Sequence, residues 1–368
     1  MTNTEKRIRY AVVGMGHIAQ VAVLPAFAHA RKNSVLTAIV SGDSTKRREI
    51  SRKYSLDDAY SYAEYEDCLK RVDAVYIALP NSLHEEYTVR AANAGVHVLC
   101  EKPMAVTTDQ CRRMIRACRR HGVKLMIGYR LHFDRVNLEV IDLVRKGRIG
   151  EPRFFNSSFS MTVRQGNIRT KSRLGGGTLY DIGIYCVNAA RYLFRSEPVE
   201  VEALSVNSGA QRLAEIDEST GALLRFEGDR LAAFVTSFNA SDAASYVIVG
   251  SKGRIQVDPA YEYAEGLQYE LIVDGRKTRK AIGKRDQFAP ELLYFSDCIL
   301  QDRSPEPSGE EGLQDVRVVE ALYRSAKTRQ AVKLPKFRDP QKPTLRQRIE
   351  RPGVRKPRLI KVASASDD

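Results

Sequence analysis

The N-terminal third of the chain alternates short apolar runs with longer amphipathic stretches. The apolar runs, which predict strands, are IRYAVVG (8–14), VLTAIVS (35–41), AVYIAL (74–79), HVLCE (97–101) and KLMIG (124–128). The stretches between them carry apolar residues at helical spacing, and several end at a glycine. Strands that alternate with helices form a parallel sheet covered on both faces. The pattern therefore predicts a doubly wound α/β domain over residues 1–128.

The pattern changes after residue 128. One further amphipathic stretch predicts a helix, and the sequence then shows alternating apolar and polar residues separated by turn glycines, which is typical of an antiparallel sheet. The segments with this alternation are 151–163, 199–208, 219–239, 245–258 and 267–275. Late amphipathic helices are predicted within 289–300 and 309–328. We therefore predict a second, α+β domain over 129–334 with a large, mainly antiparallel, open-faced sheet.

Residues 335–368 form a third region with a different composition. They contain five prolines, and ten lysines and arginines against four aspartates and glutamates. This predicts an irregular basic arm. The whole chain carries a formal net charge of +14, which favours anionic ligands. Binding to nucleic acid is not expected, because the chain lacks a finger, a helix-turn-helix and interleaved basic and aromatic residues.

Composition narrows the class of protein further. A chain of 368 residues is long enough for two domains, and it has neither an apolar run of membrane-spanning length nor an apolar signal region at its start. We therefore predict a cytoplasmic protein. The six cysteines include no C-x-x-C pair and the six histidines show no metal-ligand spacing, so neither disulfides nor a metal site is predicted.

A glycine-rich loop follows the first predicted strand. It reads GMGHIA (14–19), which fits the pattern G-x-G-x-x-A and precedes a helical segment. Gly14 permits a tight turn, Gly16 lets a pyrophosphate approach the backbone, and Ala19 allows close packing of the helix on the strand. An ordinary glycine turn would also read this way, but the position after the first strand favours a dinucleotide-binding loop.

The end of the second predicted strand indicates which dinucleotide is bound. This strand ends in Ser41 and Gly42, and Lys46 follows shortly after. A hydroxyl and a cation suit the 2′-phosphate of NADP, whereas NAD needs an acid at this place. Asp43 could serve NAD, and the basic run 46–48 could be a solvated helix face. We favour NADP as the cofactor.

Lys102 directly follows the strand HVLCE. Ligands of open parallel sheets bind beyond the carboxyl ends of the strands, so this lysine would lie near the reactive end of a cofactor. A lysine there can hold a hydroxyl and lower the pKa of a neighbouring acid. The alternative is a surface lysine at a strand end.

The stretch GGGTLYDIGIY (175–185) places three glycines before an acid and a tyrosine. On a helix, Asp181, Tyr185 and Asn188 fall on one side and apolar residues on the other. The glycines would allow the backbone to approach a substrate or ring closely, and the polar side would line a cleft. The alternative is a helix N-terminus with a stabilising acid and a packed tyrosine.

Several separate motifs together resemble the Gfo/Idh/MocA oxidoreductase family, and within it most of all the glucose–fructose oxidoreductases. The motifs are PNSLH (80–84), EKP (101–103), LMIGYR (125–130), GGGTLYDIGIY (175–185) and GEEGLQDVR (309–317). The resemblance extends over about residues 7–333. It implies an N-terminal Rossmann domain, a nicotinamide cofactor, and a C-terminal open-faced sheet that makes a homo-dimer or homo-tetramer.

Carried over position by position, the resemblance implies contacts along the whole cofactor. The residues that would meet the pyrophosphate are Gly14, Gly16, His17 and Ile18. Those that would meet the 2′-phosphate are Ser41 and Lys46. The residues near the ribose and nicotinamide would be Leu79, Pro80, Asn81 and His84. Those nearest the reacting end would be Glu101, Lys102 and Arg130.

The resemblance also implies an activity. Tyr185 would exchange a proton with a sugar hydroxyl, Lys102 would assist as a neighbouring cation, and Asp181 would hold other hydroxyls. This predicts an NADP-dependent oxidoreductase that acts on a sugar or polyol, at C1 of an aldose, and that could couple aldose oxidation to reduction of a second sugar. Two alternatives remain: an aldose 1-dehydrogenase or dihydrodiol dehydrogenase with exchangeable cofactor, and a non-catalytic regulator that senses NADP and sugar.

Overall fold

The computed structural model describes residues 6–337 and 342–366, and these form two compact units. Unit 1 takes the described residues up to Arg130 together with Asp286–Leu313 and Glu350–Ser364. Unit 2 takes Leu131–Arg285, the described part of Gln314–Ile349, and the residues from Ala365 onward. The chain therefore leaves unit 1 and returns to it twice.

These units differ from the predicted ranges 1–128, 129–334 and 335–368. The first boundary agrees within two residues, but 286–313 and 350–364 belong to unit 1 rather than to the second domain and a separate arm. An amphipathic pattern shows that a segment is a helix without showing which sheet its apolar side covers. Residues 338–341 and 367–368 of the predicted arm lie outside the described residues.

Unit 1 contains a parallel sheet of six strands in the order β3-β2-β1-β4-β5-β6. The strands are Ile8–Val13 (β1), Ser34–Val40 (β2), Asp58–Tyr60 (β3), Ala74–Ile77 (β4), His97–Glu101 (β5) and Leu125–Gly128 (β6). Every residue of β4 and of β6 is buried, as expected for a sheet covered on both faces. The order confirms the predicted Rossmann class. Strand β3 was not predicted, because three half-buried residues give no apolar run.

Nine α-helices are described in the two units. They are Leu24–Ala26 (α1), Ser44–Tyr54 (α2), Tyr65–Leu69 (α3), His84–Asn93 (α4), Thr108–Arg120 (α5), Arg135–Arg145 (α6), Ile184–Phe194 (α7), Ala289–Leu300 (α8) and Gly309–Thr328 (α9). Helix α8 packs on the sheet of unit 1, where the Ser296 hydroxyl lies 2.8 Å from that of Tyr10 and the Asn33 amide donates to the Leu293 carbonyl at 2.8 Å. These buried polar contacts keep α8 in unit 1.

Unit 2 contains a sheet of nine strands in the order β14-β13-β12-β11-β7-β10-β9-β8-β15. The strands are Pro152–Ser160 (β7), Pro198–Val206 (β8), Ser219–Phe226 (β9), Arg230–Ser237 (β10), Ala243–Gly250 (β11), Gly253–Val257 (β12), Leu267–Val273 (β13), Arg276–Ile282 (β14) and Val332–Lys333 (β15). All neighbours are antiparallel except β7 and β10, which confirms a mainly antiparallel sheet. Strand β14 was not predicted, because its sequence RKTRKAI lacks apolar alternation.

Three further findings concern the described residues. None of their helices has the length and apolarity that crossing a bilayer requires, and the cytoplasmic location stays a prediction. All six cysteines are buried and none forms a disulfide. Residues 6–337 and 342–366 contain no group of three or more His, Cys, Asp or Glu side chains that could hold a metal ion.

Candidate active site

The two glycines of the loop after β1 meet different surroundings. Gly14 has a φ of 96°, and a Cβ added there would lie 2.5 Å from the Ala78 carbonyl oxygen. The fold itself therefore requires glycine at this position. A Cβ added at Gly16 would meet no atom of the described residues within 4 Å. The open space at Gly16 is what the close approach of a pyrophosphate needs.

The sheet brings residues 78–81 to this glycine loop. Strands β1 and β4 are neighbours, so Gly14 packs against Ala78 and Leu79 at the carboxyl end of β4. Leu79 is buried, while Pro80 and Asn81 beyond it are half-buried, as are His17 and Ile18 after the glycines. The predicted pyrophosphate and ribose residues of these two loops therefore lie at the carboxyl ends of the neighbouring strands β1 and β4.

His84 follows the loop of Leu79, Pro80 and Asn81 at the start of α4. Its ring is fully buried, with Nδ1 2.8 Å from the Pro103 carbonyl oxygen and Nε2 2.9 Å from that of Leu79. Burial lowers its pKa. Both ring nitrogens lie beside backbone carbonyl oxygens, and a neutral ring donates its one N–H to one of them. His84 therefore joins the loops after β4 and β5. The role predicted for His84 near the ribose and nicotinamide stays a prediction.

The end of β2 places a cation beside the glycine loop. The Lys46 ammonium donates to the Met15 carbonyl oxygen at 3.1 Å, and burial lowers the pKa of this lysine. Ser41 is buried, and its hydroxyl accepts from the Asp43 backbone N–H at 3.3 Å, while Gly42 is exposed. Ser41 therefore lies directly after β2 and Lys46 in the first turn of α2, and their contact with a 2′-phosphate stays a prediction.

Three buried polar groups lie at the end of β5. The Tyr76 hydroxyl is 2.7 Å from Oε1 of Glu101 and 3.3 Å from Oε2 of Glu291, which lies on α8. One hydroxyl proton cannot serve both carboxyl groups at once. Burial raises the pKa of both acids, and the charge of Glu101 raises that of Glu291 further. Burial therefore favours the protonated form of these two carboxyl groups.

Lys102 and Arg130 lie beside this cluster. Lys102 is half-buried, and its backbone N–H donates to Oε2 of Glu101 at 3.3 Å. Arg130 is buried and donates to the side-chain oxygen of Gln287. Both cations oppose the effect of burial on the pKa of Glu101. Glu101 thus positions the backbone of Lys102 at the carboxyl end of β5.

In unit 2, a π-helical turn at Leu179–Gly183 leads directly into α7. Such turns often occur at functional sites. Asp181, Tyr185 and Asn188 are half-buried, whereas the residues between them are buried, which confirms the predicted polar face. The Tyr185 ring packs on Phe159 and Tyr261, with centroid distances of 5.7 and 5.8 Å. These contacts hold the tyrosine in one orientation.

Asp181 forms an ion pair with an arginine of the preceding loop. Nε of Arg169 lies 2.6 Å from Oδ2 of Asp181. Burial lowers the pKa of Arg169, but Asp181, Tyr263 and Tyr185 outweigh this effect, so the pKa is raised. The arginine, the carboxylate and the two phenols therefore belong to one polar group of unit 2.

Two of the three glycines before this helix, Gly176 and Gly177, are required by the protein itself. A Cβ added at Gly176 would overlap the Arg169 carbonyl oxygen, and one added at Gly177 would overlap the Tyr323 hydroxyl. Gly177 also has a φ of 125°, which side chains rarely adopt. Close packing of the loop explains these glycines, whereas the sequence predicted clearance for a substrate or ring.

Comparison with known proteins identifies the family. Residues 8–129 match an oxidoreductase family with an NAD-binding Rossmann fold, and residues 137–256 match the GFO/IDH/MocA C-terminal domain. The chain belongs to the Gfo/Idh/MocA oxidoreductase family. The resemblance stated from the motifs is thereby confirmed.

Individual members of the Gfo/Idh/MocA family are similar over most of their length. The NADP(+) D-xylose 1-dehydrogenase of Haloarcula marismortui is 31% identical, covering 90% of this chain and 95% of that protein. The aldose-aldose oxidoreductase of Caulobacter crescentus, solved with glycerol, is 38% identical with a TM-score of 0.85, and the match covers 89% of this chain and 100% of that one. A 3-ketoreductase of Actinomadura kijaniata, solved with NADP and TDP-benzene, is 28% identical with a TM-score of 0.80, and the match covers 87% of this chain and 98% of that one.

Two groups at the site of this Gfo/Idh/MocA protein were not among the predicted residues. Arg169 lies twelve positions before its partner Asp181, and helical periodicity does not connect a loop residue with a helix. Glu291 is fully buried within α8. An acid inside the apolar run APELLYFSDCIL was the available signal for it, because carboxyl groups are rarely buried without a partner.

Proposed function

We propose that this protein is an NADP-dependent oxidoreductase that oxidises an aldose at C1 and reduces the corresponding carbonyl in reverse. The observation that carries the proposal is the polar face of unit 2. It presents a phenol held by two aromatic rings, and a carboxylate held by an arginine. A phenol can exchange a proton, and a carboxylate can bind sugar hydroxyls. The names of the xylose dehydrogenase and the aldose-aldose oxidoreductase support an aldose substrate.

The residues of unit 1 fit NADP as the cofactor. The open space at Gly16 suits the pyrophosphate, and Ser41 with Lys46 suits the 2′-phosphate. Relatives named for NADP support the same choice. When bound, NADP supplies the oxidant that takes a hydride from the sugar carbon.

Each proposed catalytic residue has a separate task. Tyr185 takes the hydroxyl proton as the carbon is oxidised, and returns it in the reverse reaction. Lys102 supplies a positive charge near the reacting oxygen, which stabilises negative charge that develops there. Asp181 binds neighbouring sugar hydroxyls, with Arg169 fixing its orientation. Glu101 and His84 act as positioning residues for the loops that carry Lys102.

The experiment that tests this function is a single-turnover measurement. Purified full-length protein, first assayed for co-purified NADP, is mixed with D-xylose or D-glucose without added nucleotide. We expect the absorbance of reduced nicotinamide to appear, and to disappear when a second aldose is consumed, if oxidation and reduction are coupled on bound cofactor. A signal that requires added NADP⁺ instead indicates an exchangeable-cofactor dehydrogenase.

Two outcomes would contradict the proposal. If the protein turns over no aldose, ketose or diol, either with or without added NADP⁺, while NADPH and sugars still bind, the protein is a sensor and not an enzyme. If NAD⁺ supports turnover as well as NADP⁺ does, the cofactor assignment is wrong. Analysis of the product as a lactone or aldonic acid checks that oxidation occurs at C1.

We also propose that the open face of the nine-stranded sheet forms a homo-oligomer. Leu204 on β8 and Val235 on β10 are 58% and 54% exposed, and both pair with Gly221 of β9, so they lie in one row. Further exposed apolar residues on neighbouring strands are Phe154, Val206, Leu223 and Leu231. An exposed apolar patch of this extent is typical of a protein interface.

Placing glutamate at both Leu204 and Val235 is expected to convert the oligomer to monomer, because buried charges in an interface core are strongly unfavourable. Light scattering coupled to gel filtration measures the mass. The matched control is Thr278→Glu on the exposed edge strand β14, which should leave the mass unchanged. A wild-type protein that is already monomeric would refute the proposal.

A further inference from the structure

The C-terminal segment Glu350–Ser364 of unit 1 lies against the glycine loop region. The Ile360 N–H donates to the Gln20 side-chain oxygen at 2.8 Å, and the Gln20 amide donates to the Ile360 carbonyl at 3.0 Å. The same amide lies 3.1 Å from the Met15 carbonyl oxygen. Gln20 is buried, so one side chain joins this segment to the loop that contains Gly14 and Gly16.

A second contact joins the segment to the helix after β2. The Lys53 ammonium on α2 donates to the Arg358 carbonyl oxygen at 3.2 Å. Together with the Gln20 contacts, this holds residues 358–360 beside both elements that surround the predicted adenosine end of the cofactor. These contacts fix the position of the next residue, Lys361, beside the start of α2, although the segment has no regular secondary structure.

Lys361 places its side chain on the N-terminal turn of α2. Its ammonium lies 3.0 Å from the Thr45 hydroxyl and 3.4 Å from Oδ2 of Asp43. Its backbone has a φ of 48°, which is uncommon for a residue other than glycine. The chain thus adopts a sparsely populated conformation at the residue that makes these contacts.

Asp43 lies where the choice between NAD and NADP is made. In Rossmann folds, an acid at the end of the second strand binds the ribose 2′-hydroxyl of NAD. The Lys46 backbone N–H donates to Oδ1 of Asp43 at 3.0 Å, and this bond, with Lys361, lowers the pKa of the carboxyl group. Asp43 is therefore ionised at neutral pH, and its charge alone would repel a 2′-phosphate.

The lysines on either side of Asp43 change this balance. Lys46 reaches the Met15 carbonyl oxygen, and Lys361 reaches Asp43 and Thr45. With both lysines, positive charge exceeds negative charge at this end of β2. Without Lys361, Lys46 and the Arg47 guanidinium, which donates to the Ser41 carbonyl oxygen at 2.5 Å, would remain beside an unneutralised Asp43. A site for a dianionic phosphate would then have one cation fewer.

We propose that Lys361 is a specificity-determining residue for NADP: it neutralises Asp43 and supplies a cation to the 2′-phosphate from the C-terminal segment. This inference rests on the proposed binding of NADP. It assigns a function to a segment that, from its composition, was predicted to be an irregular arm. It also explains how a strand end that carries an acid can accept the phosphorylated cofactor.

The test measures binding of NADPH and NADH to full-length protein freed of bound nucleotide, by the fluorescence of the bound nicotinamide. Lys361→Met is expected to raise Kd for NADPH about tenfold, with Kd for NADH changed less than about twofold. The matched control is Arg355→Met, which removes one positive charge from an exposed position of the same segment. It should change neither constant by more than about twofold, which separates a local contact from the overall charge.

A second variant tests the neutralisation of Asp43. Asparagine caps helices as well as aspartate does, so Asp43→Asn keeps the start of α2. In the Lys361→Met background, this change is expected to recover at least half of the lost NADPH affinity in logarithmic terms. No recovery would overturn the neutralising role. An equal loss of NADPH and NADH affinity, or no loss of either, would overturn Lys361 as a specificity residue.

The outcome is distinguishable from failure of the proposed function. Selective loss of NADPH binding in a protein that turns over no sugar supports the role of Lys361 and refutes the aldose activity. Sugar turnover with NADP that is insensitive to Lys361→Met refutes this inference and leaves the activity in place. A wild-type protein that does not distinguish NADPH from NADH refutes both the inference and the cofactor assignment.

Discussion

Tyr185→Phe is expected to lower kcat for aldose oxidation by about 10²- to 10⁴-fold, the usual contribution of a positioned acid or base. The substitution removes one hydroxyl and keeps the ring. The packing of the ring on Phe159 and Tyr261 should therefore persist, and the fold with it. Steady-state rates and single-turnover reduction of NADP⁺ measure the effect, with NADPH binding as the check that the cofactor site is intact.

The matched control for this prediction is Tyr180→Phe. Tyr180 belongs to the same helical segment, and its ring packs on Tyr323 at a centroid distance of 5.3 Å. Loss of its hydroxyl should change kcat by less than about threefold, within the range of indirect effects on a site. A Tyr185→Phe protein that keeps kcat within the same limit would show that another group exchanges the proton. A loss of NADPH binding in this variant would also contradict the assignment.

Arg191→Met is expected to destabilise the protein by about 3–5 kcal/mol, the cost of removing one partner from a buried ion pair. Arg191 and Asp315 are fully buried and form an ion pair. The same guanidinium lies 2.6 and 2.9 Å from the two oxygens of Glu197, and Lys342 lies 2.5 Å from one of them. Without Arg191, the Glu197 carboxylate would keep Lys342, but the fully buried Asp315 carboxylate would lose the guanidinium.

The pH dependence of this effect has a definite sign. Burial raises the pKa of Glu197, but Arg191 and Lys342 outweigh burial and lower the pKa to about 2. A carboxyl group with a lowered pKa stabilises the folded state above its unfolded pKa of about 4.3, and this contribution is lost as the pH falls. The difference in the free energy of unfolding between wild type and Arg191→Met should therefore be constant above about pH 5 and become smaller towards pH 2.

Urea unfolding at several pH values measures the loss in the free energy of unfolding and its dependence on pH. The slope of the transition shows whether the two units unfold together. The matched control is Arg145→Met. Arg145 pairs with Asp142 at 2.7 Å, but its side chain is 48% exposed, so a loss of at most about 1 kcal/mol is expected. Equal stabilities of the Arg191→Met and Arg145→Met proteins would show that the buried cluster adds nothing beyond a surface pair.

Much of unit 1 could be predicted because its signals are local. Strands of a parallel sheet buried on both faces give continuous apolar runs, and the five runs that met this description are strands in the structure. Gly14 was also predictable, since its φ is set within a short turn. The exposed edge strand β14 and the short strand β3 were missed because neither buries an apolar row of its own.

The candidate site was predicted less completely, because polar contacts join residues distant in the chain. A motif could place His84 near a cofactor loop, but only the fold shows that each ring nitrogen lies beside a backbone carbonyl oxygen. The contact between Tyr76 and Glu291 spans 215 positions. Lys361 lies still farther from its partner Asp43. Periodicity within a helix or strand carries no information about such pairs.

The sequence by itself determined the Rossmann unit, the glycine loop and the polar face of Tyr185, because each depends on residues a few positions apart. The tertiary structure alone decided that the glycines at 176 and 177 make room for the protein's own loop and side chains, that α8 belongs to unit 1, and that the C-terminal segment delivers Lys361 to Asp43. Packing and charge act through space, so these assignments required the folded chain.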